Sequence, residues 1–131
     1  MNFGKLHHLE IYVDDLKKTE EFWGWFLQEL GYTEFQKWKD GVSFQLAEFY
    51  LVFVQTAAKY RGQKYHRCHS GLNHLAFHGS SRKFIDELTE KLKARNMKIL
   101  YQELHPYAGG ENHYAVYFED PDRMKVEVVA N

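Results

Sequence analysis

The segment LHHLEI, Leu6 to Ile11, returns as LNHLAF, Leu72 to Phe77, with His8 in the place of His74. An internal repeat constrains a chain more than any isolated motif does. Both copies must adopt the same supersecondary unit, and a unit this small cannot bury its apolar face alone. Each repeated segment leads through a turn into a helical pattern. The first helix is expected over about Leu16 to Leu30, capped by Asp14 or Asp15, with Leu16, Trp23, Phe26, Leu27 and Leu30 on one face and Gly31 as its stop. The second is expected over about Arg82 to Arg95, capped by Ser80 or Ser81, with Phe84, Ile85, Leu88 and Leu92 as its stripe. Phe22 and Trp25 fall off the first stripe, which leaves them for a partner surface or a wider core face.

Three short strands should follow each helix. In the first half they are Thr33 to Trp38, Val42 to Ala47 and Phe49 to Gln55, with Asp40-Gly41 as a turn. In the second half they are Lys98 to Glu103, His113 to Phe118 and Lys125 to Val129, the last two joined by the turn EDPD, Glu119 to Asp122. The expected architecture is α+β: two βαβββ modules, about 5–57 and 72–130, joined by a polar linker, about 58–71. They should pack side by side as one domain over 1–131, forming a cupped mixed sheet with the helices on the outer face.

Composition narrows the function. A formal net charge of -1 gives no basic field for nucleic acid or an anionic membrane. The start MNFGKLHH lacks the apolar core of a signal peptide, and no apolar run is long enough to span a bilayer. The single cysteine, Cys68, allows no internal disulfide, so the cytoplasm is the expected compartment.

Strand alternation then selects side chains. In the first strand Leu9, Ile11 and Val13 share the helix side with His7, which reads as structural. His8, Glu10 and Tyr12 share the opposite face. In the second copy Leu75 and Phe77 take the helix side, leaving His74, Ala76 and His78 on the other. In KVEVV, Val126 and Val128 point to the helix and leave Glu127 facing inward. An inward carboxylate is costly unless paired or bound to a cation. Two imidazoles and one carboxylate form a donor set that leaves coordination positions open on iron, and the same set serves catalytic zinc. His8, His74 and Glu127 are therefore the candidate metal ligands. Zn, Mn, Fe, Ni and Co all suit them. His113, inward by the parity of HYAVYF, is a candidate proton-transfer residue. Glu10 and Tyr12 are candidates for orienting substrate or a ligand histidine.

Three stretches carry this pattern: HHLEIYVDDLKKTEEFWGWFLQELGY, GLNHLAF and FEDPDRMKVEVV. Together they resemble the vicinal oxygen chelate superfamily, the glyoxalase, bleomycin-resistance and extradiol-dioxygenase group. The resemblance implies ligands from the first and fourth strands of each module, here His8, His74 and Glu127, and one divalent metal ion. It implies a small substrate chelated through two oxygens, a glyoxalase-like lyase or isomerase or an extradiol-type dioxygenase, and a homodimer. A metal-free protein that sequesters a drug or metabolite, as in the bleomycin-resistance branch, is the alternative. The chain departs from the glyoxalase pattern in YLVFVQT, Tyr50 to Thr56, which contains no acid; Glu48 and Gln55 are the nearest substitutes. HRCH, His66 to His69, has no standard zinc spacing and reads as a loop, and HPYAGGENHY, His105 to Tyr114, as a flexible loop suited to a lid.

Overall fold

Two helices, each laid on its own mixed sheet, make up the fold of this computed structural model, which describes residues 3–131. The chain divides into two units, Met1–Lys64 and Tyr65–Asn131, with the boundary inside the polar stretch expected as a linker.

In the first unit the order is β1 (His8–Val13), α1 (Leu16–Glu29), β2 (Thr33–Trp38), β3 (Gly41–Leu46) and β4 (Phe49–Gln55). The sheet runs β1-β4-β3-β2, and β1 pairs with β4 in parallel, so α1 is the crossover that parallel pairing demands. Asp15 caps α1 by accepting from the Lys18 N–H, and Gly31, at φ 92, ends it in the left-handed region. Gln55 secures the same start from β4. Its Oε1 accepts from the Leu16 N–H at 2.9 Å, and its Nε2 donates to the Asp14 carbonyl at 2.8 Å. The core is aromatic: Trp23 and Phe53 rings lie 4.9 Å apart, and Phe22 stacks on Phe26 at 5.7 Å. Each such ring contributes on the order of 1.5–3 kcal/mol by leaving water.

The second unit contains β5 (His74–Gly79), α2 (Arg82–Ala94), β6 (Ala115–Glu119) and β7 (Lys125–Ala130), in sheet order β5-β7-β6 with β5 and β7 parallel. Ser81 caps α2, and Asn96, at φ 61, plays the part that Gly31 plays after α1. Ile85, Leu88 and Leu92 are buried, as are Val116, Phe118, Val126 and Val128 of the sheet. Gly79 is required here. A Cβ on it would stand 2.8 Å from Ile85 Cδ1 and 3.1 Å from Val128 Cγ1. The EDPD turn closes as expected, with Asp120 Oδ1 accepting from the Asp122 and Met124 N–H groups, both at 2.8 Å.

Three expectations need correction. Lys98 to Glu103 is not a strand; only Ile99 bridges to Phe118, because Tyr101 at φ 56 turns the backbone away from the sheet. The strand expected from His113 begins at Ala115. His7 precedes β1 and is exposed, its Nδ1 2.9 Å from that of His8, and so does not lie beneath a helix. Of the two places left open for Phe22, the structure takes the wider core face: it is buried among the α1 rings.

Candidate functional site

On the helix-free face of the second sheet the register sets three cross-strand rows: Glu119, Lys125 and His74; Tyr117, Glu127 and Ala76; Ala115, Val129 and His78. Glu127 sits in the middle row. It is only 4% exposed although no helix covers it. Its cover comes from three side chains. His74 Nε2 lies 3.1 Å from Oε1, His113 Nε2 contacts Oε2, and the Tyr117 hydroxyl hydrogen-bonds the same carboxylate. Burial, and then the bond and charge of Glu127, push the Tyr117 phenol up to about 12, so it remains a donor at neutral pH.

His113 reaches Glu127 from just outside β6, and the preceding loop makes this possible. A Cβ on Gly109 would stand 2.4 Å from His113 Cδ2 and 2.7 Å from the Tyr117 hydroxyl. Only glycine lets the backbone lie that close. The loop is anchored to α2: the Tyr114 hydroxyl donates to Asp86 Oδ1 at 2.5 Å, and the Arg82 guanidinium lies 4.9 Å over the Tyr114 ring.

The tautomer of His74 bears on what the site can hold. Asn73 Oδ1 lies 2.7 Å from His74 Nδ1 and Glu127 Oε1 lies 3.1 Å from its Nε2, so each ring nitrogen faces an oxygen. With the ring hydrogen on Nδ1, the Nε2 lone pair faces the carboxylate and a cation between them satisfies both; with a hydrogen on Nε2, His74 donates to Glu127 directly. The Tyr117 hydroxyl donates to the same carboxylate, which His113 Nε2 also contacts. An imidazole nitrogen and a carboxylate oxygen are donor types that a divalent metal takes. Among the described residues, however, no group of three or more His, Cys, Asp or Glu side chains is assembled to hold one.

The remaining candidates belong to the first unit. His8, Glu10 and Tyr12 are exposed on the helix-free face of β1, as alternation required. The His8 ring stacks on Tyr50, 4.9 Å away and 5° from parallel, and Phe35 and Trp38 are also partly exposed in this unit. Register also locates the missing acid. Glu127 pairs with Ala76, two residues after His74; the equivalent partner of Glu10, two after His8, is Val52. The fourth position of the repeat is therefore a buried valine, and Gln55 is occupied with the start of α1. Alternation located Glu127, His74 and His113. It also turned Tyr117 and Lys125 the same way, a parity shared with Glu127 that was the available signal for both.

Comparison with known proteins is consistent with this geometry. Residues 5–128 match the family model described as Glyoxalase/Bleomycin resistance protein/Dioxygenase superfamily. An uncharacterized protein, YqjT, of Bacillus subtilis (strain 168) is 55% identical over 125 residues, covering 95% of this chain and 98% of the relative. A solved structure from Bacillus halodurans, described as a "putative glyoxalase", is 54% identical with a TM-score of 0.97, covering 98% of this chain and 97% of that one. A variant of the fosfomycin resistance protein FosX from Listeria monocytogenes, complexed with Mn(II) and 1S,2S-dihydroxypropylphosphonic acid, shares the fold. Its TM-score is 0.66 at 20% identity, over 98% of this chain and 90% of that one.

Proposed function

We propose that this chain, which belongs to the Glyoxalase/Bleomycin resistance protein/Dioxygenase superfamily, is a metal-dependent enzyme acting on a small substrate chelated through two vicinal oxygens. His8, His74 and Glu127 are its proposed ligands, and the reaction is a glyoxalase-like lyase or isomerase step or an extradiol-type dioxygenation. What carries this reading is the buried Glu127 carboxylate with His74 Nε2 3.1 Å away and, among the described residues, no Lys or Arg ion-paired to it. Mn(II) in the FosX variant supports a metal of the Zn, Mn, Fe, Ni or Co group.

A divalent ion would supply Lewis-acid polarisation of the chelated oxygens, and if iron, a position for dioxygen. The chain's own residues do the rest. Asn73 Oδ1, 2.7 Å from His74 Nδ1, would hold the ring proton there and so keep Nε2 available to the ion. His113, sharing Glu127 with His74, holds a proton at Nε2 beside the carboxylate and can exchange it with substrate. Tyr117 remains protonated and donates to Glu127, which helps to keep the carboxylate oriented. Glu10 and Tyr12 are proposed to orient substrate. With Val52 in place of a fourth acid, the donor set retains the open positions that two substrate oxygens need.

The test is metal content of tag-free protein after exposure to Zn, Mn, Fe, Ni and Co. One ion per chain is expected for the wild type and for Glu10→Ala, with loss in His8→Ala, His74→Ala and Glu127→Ala. Wild type that takes up no stoichiometric metal leaves the metal-free sequestering protein as the better account.

A further inference from the structure

We infer that Lys125 and Tyr101 form a carboxylate-recognising subsite beside the proposed metal position, so the substrate carries an acid group in addition to its two chelating oxygens. This rests on the reading just given for the site but draws on different residues.

Lys125 is half-buried on the helix-free face of the second sheet. It lies directly across from His74 and two residues before Glu127, so it stands one pleat repeat, roughly 6–7 Å, along the same strand face. Among the described residues its ammonium has no carboxylate partner. The acid across the strand, Glu119, is engaged by Arg67 at 2.7 Å and Arg123 at 3.6 Å. Lys125 instead donates to the Tyr101 hydroxyl at 3.2 Å and lies 5.6 Å from the centre of that ring.

An ammonium has three N–H donors, and the phenol spends one acceptor position on it, leaving its own O–H to donate. The pair therefore offers donors from two adjacent heads, which matches the two oxygens of a carboxylate. A phosphate group, with more charge and more acceptors, ordinarily recruits an arginine fork or several cations. Here the arginines of this end of the sheet, Arg67 and Arg123, are turned to Glu119.

The position of Tyr101 is held against a backbone preference. Its φ is 56°, a left-handed conformation uncommon for a bulky aromatic residue, and such residues gather at ligand-binding positions. Its ring packs edge-on to Tyr117, 5.4 Å away, and Tyr117 in turn bonds Glu127. The chain of contacts Lys125, Tyr101, Tyr117, Glu127 links the cation to the carboxylate that the metal would use.

The test compares two probes that differ by one carboxylate, catechol and 3,4-dihydroxybenzoate, by isothermal titration calorimetry. Both metal-loaded and chelator-stripped protein are used. The ratio of the two affinities reports on Lys125, whereas the change on stripping reports on the metal, so the two ideas fail separately. The wild type is expected to prefer 3,4-dihydroxybenzoate by about tenfold, the size of a charge-assisted hydrogen bond. That ratio should fall to about one in Lys125→Met, persist in Lys125→Arg and drop partway in Tyr101→Phe, with the far-ultraviolet circular dichroism of all three unchanged. Equal affinities in the wild type, no detectable binding of either probe at millimolar concentration, or an undiminished preference in Lys125→Met would overturn the proposal.

Discussion

Asn73 Oδ1 lies 2.7 Å from His74 Nδ1, and in the proposed site it would hold the ring proton there and leave Nε2 directed at Glu127. Partners of this kind raise ligand basicity, and their removal costs 10–100-fold in metal affinity in sites where it has been measured. Asn73→Ala should weaken metal binding by about tenfold, read by competition with a chromogenic chelator, while leaving thermal stability nearly unchanged. Gly109 acts through space rather than charge. In Gly109→Ala the new methyl must push His113 or Tyr117 aside. Overpacking of that kind costs about 1–3 kcal/mol. Urea unfolding should register the loss, and the His113 ring resonances should shift; a variant identical to wild type in both would show that the loop has room to yield.

At the scale of elements, the loop between α2 and β6 does more than connect. Its anchors on α2, Asp86 and Arg82, fix Tyr114, and with it the approach of His113 to β7. The same loop carries His105, whose pKa burial holds below the ordinary histidine value of 6.5, with Lys93 adding to the effect. The folded state thus favours the neutral ring, while the unfolded chain takes up a proton near 6.5. The His105 contribution to stability is present above that pH and is lost as pH falls below it toward the depressed folded value. A plot of Tm against pH should fall in that window, and His105→Gln should flatten the fall; a slope unaltered in the variant would assign it to other groups.

This element also marks where sequence reasoning failed. The run KILYQE satisfies strand propensity, but pairing depends on non-local contacts, and a single residue in left-handed backbone at Tyr101 ends it after one bridge. Helix caps, by contrast, are local. Asp15 and Ser81, each among the capping residues expected, and the Gly31 stop were legible because the signal lies within one turn of the helix end.

For the whole molecule, the repeat in sequence became a repeat in topology with unequal chemistry. Both units have a parallel pair crossed by a helix, β1 with β4 and β5 with β7, but only the second carries an acid at the shared position. The family, the α+β class and the placement of His8 on the helix-free face of its own sheet, and of His74 and Glu127 on that of theirs, could be read from alternating residues and two matching hexapeptides. Val52 as the counterpart of Glu127 could not, because it requires the register between β1 and β4, which no local pattern specifies. The Lys125–Tyr101 contact was hidden for the same reason, since it joins β7 to a loop first read as a strand.

The proposed function requires a cation shared by Glu127, His74 and His8. Crystals grown with Mn(II) and measured for anomalous scattering would test it most directly. The expected result is one peak within about 2.0–2.3 Å of a Glu127 carboxylate oxygen and of one ring nitrogen each from His74 and His8. A peak bound elsewhere, or crystals with Glu127 still in contact with His74 and no peak, would contradict it.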